Sequence, residues 1–307
     1  MVALGGGHGL AASLTALRSV TTDLTAVVTV ADNGGSSGRL REEFGVLPPG
    51  DLRMALAALC GDDRWGQTWA RVLQHRFDSD GEMDGHSMGN LLIVTLWELL
   101  HDHVDGLEWV AGLLGARGRV LPMALSPLDI TARVKGAGDD PDEVSTVNGQ
   151  VAVATTSGEV LSVSLVPEDA GACPQAIEAI ASADFVVIGP GSWYSSVIPH
   201  LLVPDLRDAL CRTPGKVVVS MNLEPHTDET RGYDLADHLD VLLRNAPDLA
   251  VSAVLVDPTA VRDEARLRAA VEVAGARLVT ADLAAVQPGV HDPQKLGSAY
   301  ARLFDEA

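Results

Sequence analysis

Residues 2–39 read VALGGGHGLAASLTALRSVTTDLTAVVTVADNGGSSGR, and their order decides the fold. Val2–Leu4 is a short apolar run and therefore a strand. A glycine turn, Gly5 to Gly9, follows it, and then Leu10–Ser19 carries helical spacing. Leu24–Val30 is a second apolar, β-branched run. A strand, a tight glycine turn, a helix and another strand make a βαβ unit, whose crossover is right-handed and whose strands are parallel.

Working outward, the same alternation returns late in the chain at Phe185–Ile188, Lys216–Ser220, Ala250–Val256 and Arg277–Thr280. These runs predict a Rossmann-like α/β fold, a doubly wound parallel sheet with helices on both faces. Between them, residues 49–115 read as a helical block in which Asn90–Leu100 is the clearest helix. Residues 119–166 read as a β-rich insertion on the main sheet. Its expected strands are Val120–Leu125, Ile130–Val134, Gln150–Thr155 and Val160–Leu165, with Lys135–Asp142 as a turn-rich separator. The expectation is one domain over residues 1–307.

Hydrophobic residues make up 47% of the 307 positions and aromatics only 4%, which suits strands covered by Ala- and Leu-rich helices. The formal charge of −20 repels polyphosphate backbones and argues against nucleic-acid binding. A single nucleotide is still compatible, because it needs only a local nest of N–H groups and an arginine. Cys60, Cys173 and Cys211 lack metal or disulfide spacing, so a cytoplasmic chain is expected. No run reaches the ~18 apolar residues of a membrane helix.

Four motifs carry chemistry. Gly5, Gly6, Gly7, His8 and Gly9 occupy a strand-to-helix turn, where backbone N–H groups and a helix N-terminus attract phosphate. Gly7, Gly9 and Ala12 also satisfy the dinucleotide form G-x-G-x-x-A, with Asp32 as its ribose acid. The second motif is the loop Ala31–Arg39, in which Gly34, Gly35, Ser36 and Ser37 can nest an anion. There Asp32 can hold a ribose or a divalent cation and Arg39 a phosphate, with Asn33 beside them as a further ligand contact. The third is Gly189-Pro190-Gly191-Ser192-Trp193-Tyr194-Ser195-Ser196, again after a strand. Loops that follow parallel strands share one edge, where open α/β sheets bind ligands. The fourth, Gly85–Asn90, matches G-x-S-x-G around Ser87. Its acidic lead-in, Asp78 to Asp84, cannot be the strand a nucleophile elbow needs, so His86 and Asn90 are instead expected on one helix face at the crevice. Asp51, before Arg53, reads most simply as a helix cap. Asn222 to Tyr233 follows a strand onto the same edge.

Six blocks, GGGHGL, TVADNGGSSGRLR, PPGDLR, GHSMGNLL, GPGSWYSSVIPHLLVP and His291 to Leu296, together resemble the YvcK or "gluconeogenesis factor" group, relatives of the phospholactate transferase CofD. The resemblance implies a uridine-diphosphate sugar as ligand, typically UDP-N-acetylglucosamine. It also implies a regulatory role in cell shape and wall-precursor supply during gluconeogenic growth. The ligand residues it suggests are those of the motifs above together with Asp51, Arg53, Asn222, Glu229 and Thr230. The transferase relatives place an acidic pair in the second loop for metal and phosphate; this chain has Asp32, a candidate Mg ligand, beside Asn33. After the strand at Lys216, Glu229-Thr230 match the group while Thr227-Asp228 replace its proline and glycine. Two other functions stay open: a CofD-like transfer of a phospho-organic group, and binding of an NAD-type dinucleotide. No catalytic residue is assigned, and further copies of the chain and wall regulators are the partners expected beside the nucleotide sugar.

Overall fold

The computed structural model describes residues 1–306. β1 (Val2–Gly5) leads through the glycine turn into α1 (Gly7–Leu17), then β2 (Thr25–Val28) and α2 (Gly35–Phe44). The helical block follows as α3 (Gly50–Leu59), α4 (Arg64–Gln74), α5 (Met88–Leu100) and α6 (His103–Leu114). Next come β3 (Arg119–Pro122), β4 (Asp129–Lys135), β5 (Val144–Asn148), α7 (Gln150–Ala154) and β6 (Glu159–Val166). The last part runs α8 (Pro174–Ala181), β7 (Phe185–Ile188), α9 (Pro199–Leu202), α10 (Pro204–Arg212) and β8 (Lys216–Ser220). It ends with α11 (Leu235–Asn245), β9 (Val251–Val256), α12 (Glu264–Val273), β10 (Arg277–Thr280) and α13 (Pro293–Asp305).

Seven strands form one sheet in the order β10-β9-β8-β7-β1-β2-β3, and every pairing within it is parallel. β1 is central, with Val2 in register with both Thr25 of β2 and Val186 of β7. From β1 the chain moves outward to β2 and β3, then returns to the other flank at β7 and moves outward again. The order therefore reverses between β1 and β7, and loops leaving those two strands line the crevice where such sheets take ligands. β1 and β2 are buried at every residue, as parallel strands covered on both faces must be. α1 packs Leu10, Leu14 and Leu17 into this core, and α3 and α13 pack against it. Each such leucine contributes roughly 1.5–3 kcal/mol.

Two helices start earlier than their apolar spacing predicts, neither with a side-chain cap. α1 starts at Gly7 rather than Leu10, and α5 at Met88 rather than Asn90. The expected loop Ala31–Arg39 is in large part helix, because α2 begins at Gly35. Within residues 119–166 three expectations were wrong. The first strand stops at Pro122 and pairs with β2, so it is an edge of the main sheet. Gln150–Thr155 is not a strand: Gly149, at φ 95°, breaks the extended chain, and the Asn33 side chain accepts from Val151 N at 3.2 Å at the start of α7. The third strand is instead Val144–Asn148, which pairs antiparallel with β4 in the small sheet β5-β4-β6. Among the described residues no helix is long and apolar enough to cross a membrane.

Candidate functional site

The glycine turn after β1 is built for close approach. Gly7 has φ 56°, and a Cβ on Gly9 would lie 2.2 Å from the Pro190 carbonyl oxygen, so the first and third motifs touch here. A side chain on Gly6 would meet the Asp51 carboxylate at 2.4 Å. Asp51 thus lies under the β1–α1 turn and takes the Gly7 N–H, which corrects the expectation that it caps its own helix. Its Oδ2 is shielded from solvent and has no partner. Burial, then the neighbouring Asp32 charge, push the Asp51 carboxyl up to about 7, and the Gly7 amide and Arg53 only partly offset this.

Asp32 approaches the same spot from the β2 side. Its Oδ1 accepts from Gly34 N at 2.9 Å, and a Cβ on Gly50 would lie 3.0 Å from its Oδ2 and 2.3 Å from Ser37 Oγ. Asp32 and Ser37 therefore close on Gly50, the first residue of α3, next to Asp51. Beside them α2 starts at Gly35, and its first-turn amides at Gly35, Ser36 and Ser37 have no carbonyl of their own helix to bond. Two helix N-termini, those of α1 and α2, thus flank one carboxylate pair. Sequence spacing carries no signal for this pair, because the fold joins a residue of the β2–α2 connection to one of α3.

His86 and Asn90 do meet, though not as neighbours on one helix face. His86 precedes α5, yet its Nδ1 lies 3.1 Å from Ser36 Oγ, to which Asn90 Nδ2 donates at 3.0 Å. Arg53 Nε donates to Asn90 Oδ1 at 2.9 Å and its NH1 to Gln74 Oε1. Burial lowers the Arg53 pKa to about 10, with Arg76 adding to the shift. Ser87 fails as a nucleophile, because its Oγ donates to the Leu73 carbonyl at 2.9 Å. Arg39, exposed on α2, donates to the carbonyls of Glu82 at 3.2 Å and Asp84 at 2.5 Å. It walls a cleft of about 950 Å³ together with Asn33, Ser36, Arg76 and Asp84.

The third motif is largely self-satisfied. Asn222 Oδ1 accepts from Gly191 N and its Nδ2 donates to Gly191 O, both at 2.8 Å. Glu229 Oε1 accepts from Tyr194 N at 3.1 Å, and the Ser195 side chain also helps to hold this carboxylate. Burial pushes Glu229 up to about 7. Glu229 thus occupies the turn of N–H groups in this loop, which the sequence placed on the ligand edge, and Tyr194, Ser195 and Ser196 are buried. Thr230 Oγ1 donates to Pro225 O at 2.8 Å and shapes the same turn. Gly189 and Pro190 are buried, Ser192 and His8 are exposed, and a second cleft of about 190 Å³ opens between Gly9, Gly191, Asn222 and His291. Among the described residues no three His, Cys, Asp or Glu side chains gather as a metal set.

The family profile described as 2-phospho-L-lactate transferase CofD matches residues 1–292. A Mycobacterium leprae relative is 48% identical over 302 residues, covering 97% of this chain and 84% of its own length. The protein named gluconeogenesis factor in Bacillus subtilis strain 168 is 34% identical over 279 residues, covering 91% and 84%. A crystal structure of a UPF0052-family protein from Bacillus halodurans superposes with a TM-score of 0.87 at 31% identity, covering 97% of both chains. With a family match over residues 1–292 and a shared fold over nearly its whole length, this chain belongs to the CofD family, and its curated relatives are named gluconeogenesis factors.

Proposed function

We propose that the chain is a cytoplasmic regulatory protein that binds a nucleotide sugar of the UDP-N-acetylglucosamine type and links its supply to cell shape and wall synthesis under gluconeogenic growth. One observation carries the binding reading: the N-termini of α1 and α2 lie beside the β1/β7 reversal, where a diphosphate would meet first-turn amides of both helices other than that of Gly7, which Asp51 holds. The base and sugar would extend from there toward the two flanking clefts. A Mg ion fits the donor set in part. Asp32 and the unpartnered oxygen of Asp51 would hold it with phosphate oxygens completing the shell, and it would screen their charge from the diphosphate.

Calorimetry and thermal shift with UDP-N-acetylglucosamine, GDP and NAD, each with and without Mg, test this reading. Micromolar binding of the UDP-sugar, recovered unchanged after long incubation, is expected. Binding at 100 times Kd should stabilise the protein by about 2.7 kcal/mol. No heat and no shift with any UDP-sugar would overturn it. The second reading, CofD-like transfer, is favoured by the carboxylate pair itself, since a carboxyl titrating near 7 is suited to proton transfer. Loss of a phosphate or sugar from the ligand, followed by phosphorus NMR, would select it.

A further inference from the structure

We propose that Arg53, acting through Asn90 and Ser36, holds His86 as the tautomer with its proton on Nε2, so that His86 offers this N–H to an anionic group of the ligand beside α2. The inference rests on the nucleotide-sugar reading only for the ligand; the tautomer follows from counting donors and lone pairs.

A guanidinium has donors and no acceptor, so the atom of Asn90 that receives Arg53 Nε at 2.9 Å must be the amide oxygen. The amide nitrogen of Asn90 then faces Ser36 Oγ at 3.0 Å and can only donate. Ser87 N donates to the same oxygen at 3.2 Å. Two donors fill the two lone pairs of the hydroxyl, which leaves its single proton for His86 Nδ1 at 3.1 Å. Nδ1 therefore accepts. The opposite tautomer would press an Nδ1–H against an oxygen already facing two other hydrogens. Burial first, and the Arg39 charge second, hold the His86 pKa below its ordinary value against the opposing Glu43 charge. This favours the neutral ring, and the accepting Nδ1 then leaves the proton on Nε2.

The relay is rigid, because Arg53, Asn90, Ser36 and His86 are 4%, 1%, 2% and 7% exposed. Nε2 is the one polar atom of the ring with no hydrogen-bond partner among the described residues. Around it both signs are present: Glu43 acts on the ring and Glu42, Asp84 and Asp129 line the cleft, but Arg39 is held by backbone carbonyls and Arg76 donates to the Gly85 carbonyl at 2.9 Å, neither in an ion pair among the described residues. A fixed N–H donor beside two such arginines fits a phosphate or carboxylate oxygen. Arg53 and Asn90 act here as positioning residues.

Long-range proton–nitrogen NMR on ¹⁵N-histidine protein at pH 7 reads the tautomer directly, with His86 assigned by its loss in His86→Gln. The expected wild-type signal is a protonated Nε2 and an unprotonated Nδ1. Asn90→Asp keeps the shape but only accepts, so the Ser36 proton should turn to it and His86 should switch to Nδ1–H. If that variant is not folded by circular dichroism, Ser36→Ala should release the ring to a mixture of tautomers. A wild-type Nδ1–H, or a ring unmoved by the folded variant, overturns the relay. Saturating UDP-N-acetylglucosamine should shift His86 Nε2. His86→Gln, which places an N–H near the same point, should keep affinity within about threefold, whereas His86→Phe should lose about tenfold. An unshifted Nε2 in a protein whose other resonances move overturns the donor role. No resonance moving at all overturns the ligand assignment instead, and the tautomer signals then decide the relay.

Discussion

Asp51→Asn gives the folding role and the ligand role of one carboxylate opposite signs. In the unfolded chain the carboxyl titrates at its ordinary 3.8, and in the fold burial and Asp32 push it up to about 7. The folded value is the higher one, so the native state binds the proton more tightly. Below about pH 4 both states are protonated and folding loses nothing; between about pH 4 and 7 the native state loses ground; above 7 the cost is constant. A gap of about 3 pH units at ~1.36 kcal/mol each bounds that cost at about 4 kcal/mol. The amide also forfeits the attraction of Arg53, so a gain of about 2 kcal/mol at pH 8 is expected. At ~2.1 cal/mol/K per residue over 307 residues, the ligand-free variant should melt about 3 °C above wild type at pH 8. At pH 4 the two should coincide. Affinity for UDP-N-acetylglucosamine should meanwhile fall about tenfold by calorimetry, the trade-off expected where a site holds strain for a ligand. A variant that melts below wild type at pH 8, or by the same margin at both pH values, would refute the reasoning.

Glu229→Gln should also raise the pH 8 melting temperature, because burial holds that carboxyl up as well, yet leave affinity within about twofold, since its carboxylate serves the Tyr194 turn. Gly7→Ala should cost about 1–2 kcal/mol for its left-handed backbone and, by placing a methyl in the open space above the turn, weaken ligand binding in calorimetry. Gly9→Ala, 2.2 Å from the Pro190 carbonyl, should instead fail mainly in stability, with a clearly lower melting point. Ser87→Ala should cost about 1 kcal/mol through the bond to Leu73 and change no esterase rate, which p-nitrophenyl ester assays of both proteins check.

The strands of the main sheet were legible because parallel strands buried on both faces must be continuous apolar runs, and the glycine turns after them marked the edge at which the loops gather. Val144–Asn148 escaped because it alternates polar residues on an exposed small sheet, where pairing with β4 and not burial defines the strand. Val151 to Ala154 alternates like a strand and folds as a helical turn, since Gly149 and the Asn33 side chain, 118 residues away in sequence, decide it. Asp51 was named from the sequence for the wrong job: an acid near a helix start reads as a cap until α3 is seen beneath the β1–α1 turn. In the third motif the partners of the loop could not be read from its own residues. Its glycines and serines do form a turn of N–H groups, but Glu229 and Asn222 use those groups, and both come from the chain after β8.

That distribution of spent and free donors bears on which ligand fits. In a dinucleotide fold the acid after the second strand reaches a ribose, away from the glycine turn. Here Asp32 faces inward: its Oδ2 flanks Gly50 with Ser37, and its charge is felt by Asp51, which itself holds the Gly7 amide. On the proposed reading the acid therefore stands at the end of the site that would take the phosphates, where a ribose hydroxyl of NAD would not lie. Two carboxylates beside a diphosphate repel it unless a proton or a divalent cation stands between them, and an Asp51 carboxyl pushed up to about 7 is half protonated at neutral pH. Amides from α1 and α2 for the phosphates and a cation or shared proton at Asp32 and Asp51 suit a nucleoside-diphosphate ester better than an NAD-type ligand. On this geometry Mg should strengthen UDP-sugar binding most above pH 7, where the pair has lost its proton.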